Sequence, residues 1–200
     1  EKIEIKALEF HKNIDNILQL KEKRTTIMIK NIPNKYNLTS ILEEINLYFK
    51  NTYDLFYLPI DYVNNCNLGF AFINFVEPMH IILFYELFRG KKWKKYNSDK
   101  ICELVFAKFQ GKNELIAHFE KGKALNLESE EKRPLILPTP DNFPKIILPC
   151  CYLFEFNRLY PKLPFIIIDK GIYKGNINKK GKNESLPVFV IDGHFNGNFV

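Results

Sequence analysis

Between residues 25 and 121 the apolar positions switch repeatedly between a two-residue rhythm and a three-to-four-residue rhythm, the marks of strand and helix. Thr25 to Ile32 alternates, with Ile27 and Ile29 on one side and Met28 and Lys30 on the other. Asn31-Ile32-Pro33-Asn34-Lys35 ends it, because Pro lacks the donor a ladder needs and Asn favours turns. A helix follows, with Thr39 as the expected N-cap and Ile41, Leu42, Ile45, Tyr48 and Phe49 as its buried stripe. Leu55 to Ile60 reads as the second strand, Asp61 to Asn67 as an Asn-rich hairpin loop, and Leu68 to Phe75 as the third strand. Glu77-Pro78 opens a second helix with Ile81, Ile82, Tyr85 and Phe88 on its apolar face, and Gly90 stops it. Ile101 to Ala107 is the fourth strand; Lys112 to Lys121 is a third helix carrying Leu115, Ile116 and Phe119. The order β-α-β-β-α-β plus a helix predicts an α+β, ferredoxin-like fold. Its four-stranded antiparallel sheet has two helices on one face, an open second face and an extra C-terminal helix.

The flanks differ. Ile3, Ala7, Phe10, Ile14 and Ile17 make one apolar stripe, so residues 3–18 read as a helix that packs on the next domain or binds a partner. Residues 122–135 read as a charged linker, and beyond them a Pro breaks the chain every few residues, leaving only short β segments to expect. The expected organisation is 1–23 N-terminal helical segment, 24–121 central domain, and 122–200 linker and irregular extension. Hydrophobic residues make up 46% of the chain, which excludes wholesale disorder. No apolar run reaches membrane-spanning length and the N-terminus is not a signal peptide; a start at Glu1 rather than Met reads as a fragment or a processed product. Cys66, Cys102, Cys150 and Cys151 fit no zinc spacing, so no metal or other cofactor is expected. Reduced thiols point to the nucleus, the cytoplasm or both.

The third strand carries the chemistry. In Leu68-Gly69-Phe70-Ala71-Phe72-Ile73-Asn74-Phe75, Ala71, Ile73 and Phe75 share the core face. Phe70, Phe72 and Asn74 share the other. Two aromatics on the wet face of an antiparallel sheet suit base stacking. The segment agrees at seven of eight positions with the RNA-recognition-motif octapeptide, counting Ile73 as an equivalent of Val, with Leu68 replacing its cation. Single-stranded RNA is then the expected partner, with Phe70 and Phe72 stacking bases. Asn74 reads a base edge, and Met28 covers a third base where this module usually has an aromatic. Lys30 and Lys108 contact phosphates. The net charge is +6, and its local excess is Arg89, Lys91, Lys92, Lys94 and Lys95. Lys91 and Lys92 of this loop could follow the RNA backbone, with Trp93 in the middle of the Lys91–Lys95 loop as a further stacking residue. Alternatives stand beside each assignment: Phe70 and Phe72 covered by the third helix or the tail, Met28 and Trp93 used in packing, the basic loop merely solvated.

Several unusual stretches then agree in order with one family. They are Arg24 to Tyr36, Tyr57-Leu58-Pro59-Ile60-Asp61, Asn67 to Phe75, Gly90-Lys91-Lys92-Trp93, Gln110-Gly111-Lys112, Leu115-Ile116-Ala117-His118-Phe119 and Lys132-Arg133-Pro134. From about Arg24 to Pro134 the chain resembles the C-terminal RNA-recognition motif of the Mei-two-like meiosis-regulator proteins. The resemblance implies an RNA-binding domain of proteins that control meiosis or differentiation by sequestering or regulating RNAs, and in that family Met28 and Leu68 look normal. A protein-interaction module of the same fold with a closed sheet face is the competing expectation. An enzyme is not expected, since there is no Gly-rich phosphate loop, metal-spaced cluster or nucleophile paired with a base.

Overall fold

The computed structural model describes residues 16–17, 21–127 and 129–139, and the backbone of 167–168 and 189–190. Of the expected N-terminal helix, only Asn16 and Ile17 are described; they are helical, Ile17 is buried, and the rest of that expectation lies outside the described residues.

The strands β1 (Thr26–Lys30), β2 (Tyr53–Tyr57), β5 (Phe70–Phe75) and β6 (Glu103–Phe106) form the expected antiparallel sheet. The central octapeptide strand β5 lies between β1 and β2. The hairpin of β3 (Ile60–Asp61) and β4 (Cys66–Asn67) fills the Asn-rich loop. Helix α1 (Leu38–Phe49) is capped by Asn37, not Thr39. Asn37 Oδ1 accepts the Ser40 N–H (2.9 Å) while Ser40 Oγ accepts the Asn37 N–H (2.9 Å), a reciprocal capping box. Helix α2 (Met79–Phe88) is buried nearly all round, not along one stripe. Ile27, Ile29, Phe56, Ile73 and Phe75 meet Ile41, Ile45, Phe49 and Phe84 in a core where every one of these side chains is fully buried. Its aromatic centre has Phe49 5.1 Å from Phe84 and 6.0 Å from Phe75 between ring centroids.

Two features depart from expectation. Strand β2 starts two residues early and carries a bulge between Tyr53 and Leu55. Tyr53 opposes Phe75 on the core face, yet Leu55 opposes Asn74 and Tyr57 opposes Phe72 on the other. The extra residue, Asp54, flips the alternation, as bulges do. Second, the segment expected to be a linker folds back. After α3 (Lys112–Lys121) and two 3₁₀ turns, β7 (Leu135–Ile136) pairs antiparallel with β2 and becomes the fifth strand of the sheet. Lys112 Nζ donates to the Leu137 carbonyl (2.5 Å), and the Leu137 N–H donates to the Asp54 carbonyl (2.9 Å). In the C-terminal extension, β8 (Ile167–Ile168) and β9 (Phe189–Val190) form a short parallel pair.

Candidate nucleic-acid interface

The non-core face of the sheet is set by register. Lys30, Met28 and Thr26 of β1 stand opposite Phe70, Phe72 and Asn74 of β5. On the other side of β1, Met28 faces Val105 and Lys30 faces Glu103. Met28, Lys30, Phe70, Phe72 and Val105 are all partly exposed. Phe70 and Phe72 meet edge to face with ring centroids 5.8 Å apart. Gly69 delivers this strand: its φ of +86° is a conformation that L side chains rarely adopt, and its N–H donates to Asn67 Oδ1 (2.7 Å). Asn67 Nδ2 in turn donates to the carbonyls of Pro33 and Tyr36 (2.8 Å each), tying the start of β5 to the β1–α1 turn.

The expected third helix covers part of this face. Leu115 and Phe119 of α3 and Ala124 close over Leu55 in a second small core, against which Tyr57, Phe72, Phe109, Ile116 and Leu125 pack. Phe119 lies 4.7 Å from Tyr57 and 6.1 Å from Phe72. Burial raises the Tyr57 phenol above its ordinary range. The cover is held at its root. Gln110 Oε1 accepts the N–H groups of Thr25 and Thr26 (3.2 and 3.0 Å), and its Nε2 donates to the carbonyls of Thr26 and Ala107 (3.0 and 2.7 Å). The accessible strip is therefore Phe70, Met28, Lys30 and Val105, bounded by a half-covered Phe72. Tyr57 and Phe119 are residues that sequence reasoning missed at this face, since the bulge hid the first and the helix pattern alone did not say which surface the second meets.

Three assigned roles change. Asn74 does lie on this face but is only 4% exposed, and its polar atoms are engaged. The Thr25 and Thr26 hydroxyls donate to Asn74 Oδ1 (2.8 Å each), and Asn74 Nδ2 donates to Asp54 Oδ1 (2.7 Å). Asn74 is a structural bridge across three strands and not a base reader. Trp93 is 4% exposed; its Nε1–H donates to the Asn31 carbonyl (2.9 Å) and its ring lies 5.3 Å from Tyr36, so it is a packing residue. The basic loop is drawn to the helix side. Lys91 Nζ donates to the Glu86 carbonyl of α2 (2.7 Å), Lys92 pairs with Asp99 (2.7 Å), and Lys95 pairs with Glu43 of α1. Lys91 and Lys92 are exposed, but these contacts do not bring them together with Phe70. Lys108 is exposed just beyond β6, with its Nζ 5.7 Å from the Phe109 ring centroid. Among the described residues no group of three or more His, Cys, Asp or Glu is placed to hold a metal, and no helix is long and apolar enough to cross a membrane.

The geometry agrees with what this chain is similar to. Residues 24–120 match the family described as RNA recognition motif 2. Protein MEI2-like 4 of Arabidopsis thaliana is 50% identical over 127 residues, 64% of this chain and 14% of that protein. Protein MEI2-like 3 of Oryza sativa subsp. japonica is 49% identical over 128 residues, 64% of this chain and 13% of that protein. The chain thus spans about a seventh of the length of these relatives. Among solved structures, "Structure of Rna15 RRM with bound RNA (GU)" is 11% identical, covers 48% of this chain and 96% of that one, and has a TM-score of 0.38. Over residues 24–120 the chain belongs to the RNA recognition motif 2 family, in the form carried by the MEI2-like proteins.

Proposed function

We propose that this chain binds single-stranded RNA by stacking bases on the strip formed by Phe70, Met28 and the open edge of Phe72, with Lys30 and Lys108 as phosphate contacts. The observation that carries the reading is the partly exposed Phe70–Phe72 pair on the central strand, beside Met28 and Lys30, on the sheet face opposite α1 and α2. Each stacked base contributes about 1–3 kcal/mol, and bases are accessible in this way only in unpaired RNA. The function is one of binding and not of catalysis. The likeness to MEI2-like proteins supports a role in regulating RNAs during meiosis or differentiation; the nucleus, the cytoplasm or both remain the compartments proposed from the reduced thiols.

Fluorescence anisotropy of the full chain against a pool of labelled single-stranded RNAs tests the reading. Binding that falls at least about five-fold with Phe70→Ala, in a protein whose circular dichroism is unchanged, supports it. Undiminished affinity in that folded variant excludes it. A second reading, a protein-interaction module, is favoured by one observation: α3 packs against Tyr57 and Phe72 on this face. Capture of a protein partner by a chain that shows no salt-sensitive RNA affinity supports this second reading.

A further inference from the structure

We infer that the RNA surface continues off the sheet onto α3, where His118 and Phe109 form a second stacking site served by Lys108. This rests on the RNA-binding reading above. His118 is exposed on α3, and its ring lies nearly parallel to that of Phe109, at a centroid distance of 4.1 Å and an interplanar angle of 22°. Phe109 is itself half-buried against the Leu115–Phe119 cluster, so the stack is backed by core on the Phe109 side while His118 is exposed. His118 is also 5.8 Å from Phe119, which touches Phe72, which touches Phe70. A chain of ring contacts therefore links the sheet strip, through the buried Phe119, to the outer surface of α3.

An imidazole seated on a phenyl ring offers a flat π surface of the kind bases use, and such stacking tolerates any base. Lys108, exposed beside Phe109, supplies a cation for the adjoining phosphate. The acidic neighbours do not close the site: Glu114 of the same helix accepts the Gln110 N–H (3.1 Å), and Glu120 is exposed. The consequence is a longer footprint than the shortened sheet strip alone permits, with the strand passing over α3 and not ending against it.

The test uses the full chain and two random-sequence pools of fluorescein-labelled single-stranded RNA. One is just long enough to cross the sheet strip, and the other is about three times that length. Expected is binding of both pools by the wild type and loss of both with Phe70→Ala. His118→Ala should weaken the long pool about five-fold or more while sparing the short one, and His118→Tyr, which keeps a flat ring, should restore it. If Phe70→Ala abolishes binding but His118→Ala matches wild type on the long pool, the α3 site is wrong and the sheet site stands. Equal weakening of both pools by His118→Ala also overturns it, because a merely structural effect would not depend on length. If the wild type binds neither pool, the RNA reading and this inference fall together.

Discussion

Replacing Asn74 by Ala should cost the fold about 3 kcal/mol, although Asn74 lies on the non-core face of the sheet. Asn74 links β1, β5 and β2 through three side chains: Thr25 and Thr26 donate to its Oδ1, and its Nδ2 donates to Asp54. Thr25 is half-exposed, so water can take over its hydroxyl at little cost. Thr26 is fully buried and keeps only the Gly111 N–H (2.8 Å), which it accepts, so its own proton loses its acceptor. Asp54 is 5% exposed and is left with Thr139 Oγ1 (2.9 Å) as its side-chain donor. A buried neutral group without its partner costs about 1–3 kcal/mol and a charged one more. The Thr26 hydroxyl at about 1 kcal/mol and the Asp54 carboxylate at about 2 kcal/mol, lowered because it keeps Thr139 and so is not left without a donor, give about 3 kcal/mol. Urea unfolding of wild type, Asn74→Ala, Asp54→Ala and the double variant measures this directly. The double variant should be less destabilised than the sum of the singles by about 1–2 kcal/mol, because each single strands the other's partner. A loss below about 1 kcal/mol for Asn74→Ala, or strict additivity, would refute the bridge.

Other expectations follow from the same packing. His80 is buried against Phe75, and burial pushes its imidazole down from 6.5 to about 3. Between these values the unfolded chain binds a proton that the folded one refuses, so stability should fall as pH drops below 6.5, at up to about 1.4 kcal/mol per pH unit. His80→Leu should flatten that slope in denaturation curves taken across the range. Gly69→Ala should lose about 1–2 kcal/mol in the same assay, from backbone strain at φ +86° and not from a clash, since a Cβ there would meet the Ile32 carbonyl at an ordinary 3.9 Å. Phe119→Ala should lower the melting temperature through a loss of about 3–5 kcal/mol, and increased dye binding to the bared Tyr57 and Phe72 would accompany it.

The sequence pattern carried the four main strands, the helices and the pairing of Phe70 with Phe72, because a two-residue period fixes faces wherever one side is buried. It erred where a single residue or a tertiary contact decides. Alternation alone assigns Asn74 correctly to its face, but only the neighbouring Thr25, Thr26 and Asp54 show that its hydrogen bonds are already made. Asp54 as a bulge reverses the faces of Leu55 and Tyr57, and no local signal announces it. For Trp93, within a run of lysines, stacking and packing both stand open in the sequence, and only the loop's turn inward to the Asn31 carbonyl decides for packing. Asn37 beat Thr39 as the cap because it has Ser40 three residues on to complete the reciprocal pair. The charged stretch after α3 holds few apolar residues, and what recruits it is the free edge of β2, visible only once the sheet exists.

The most direct test is to map RNA onto the protein by nuclear magnetic resonance, following backbone amides of the isotopically labelled full chain as single-stranded RNA is added. The expected result is that the amides of Met28, Lys30, Phe70, Phe72 and Val105 shift together in one saturable process, while those of Ile45 and Phe84 in α1 and α2 stay in place. Shifts confined to α1, α2 and the Lys91–Lys95 loop, or none on β1 and β5 at saturating RNA, would contradict binding on the sheet.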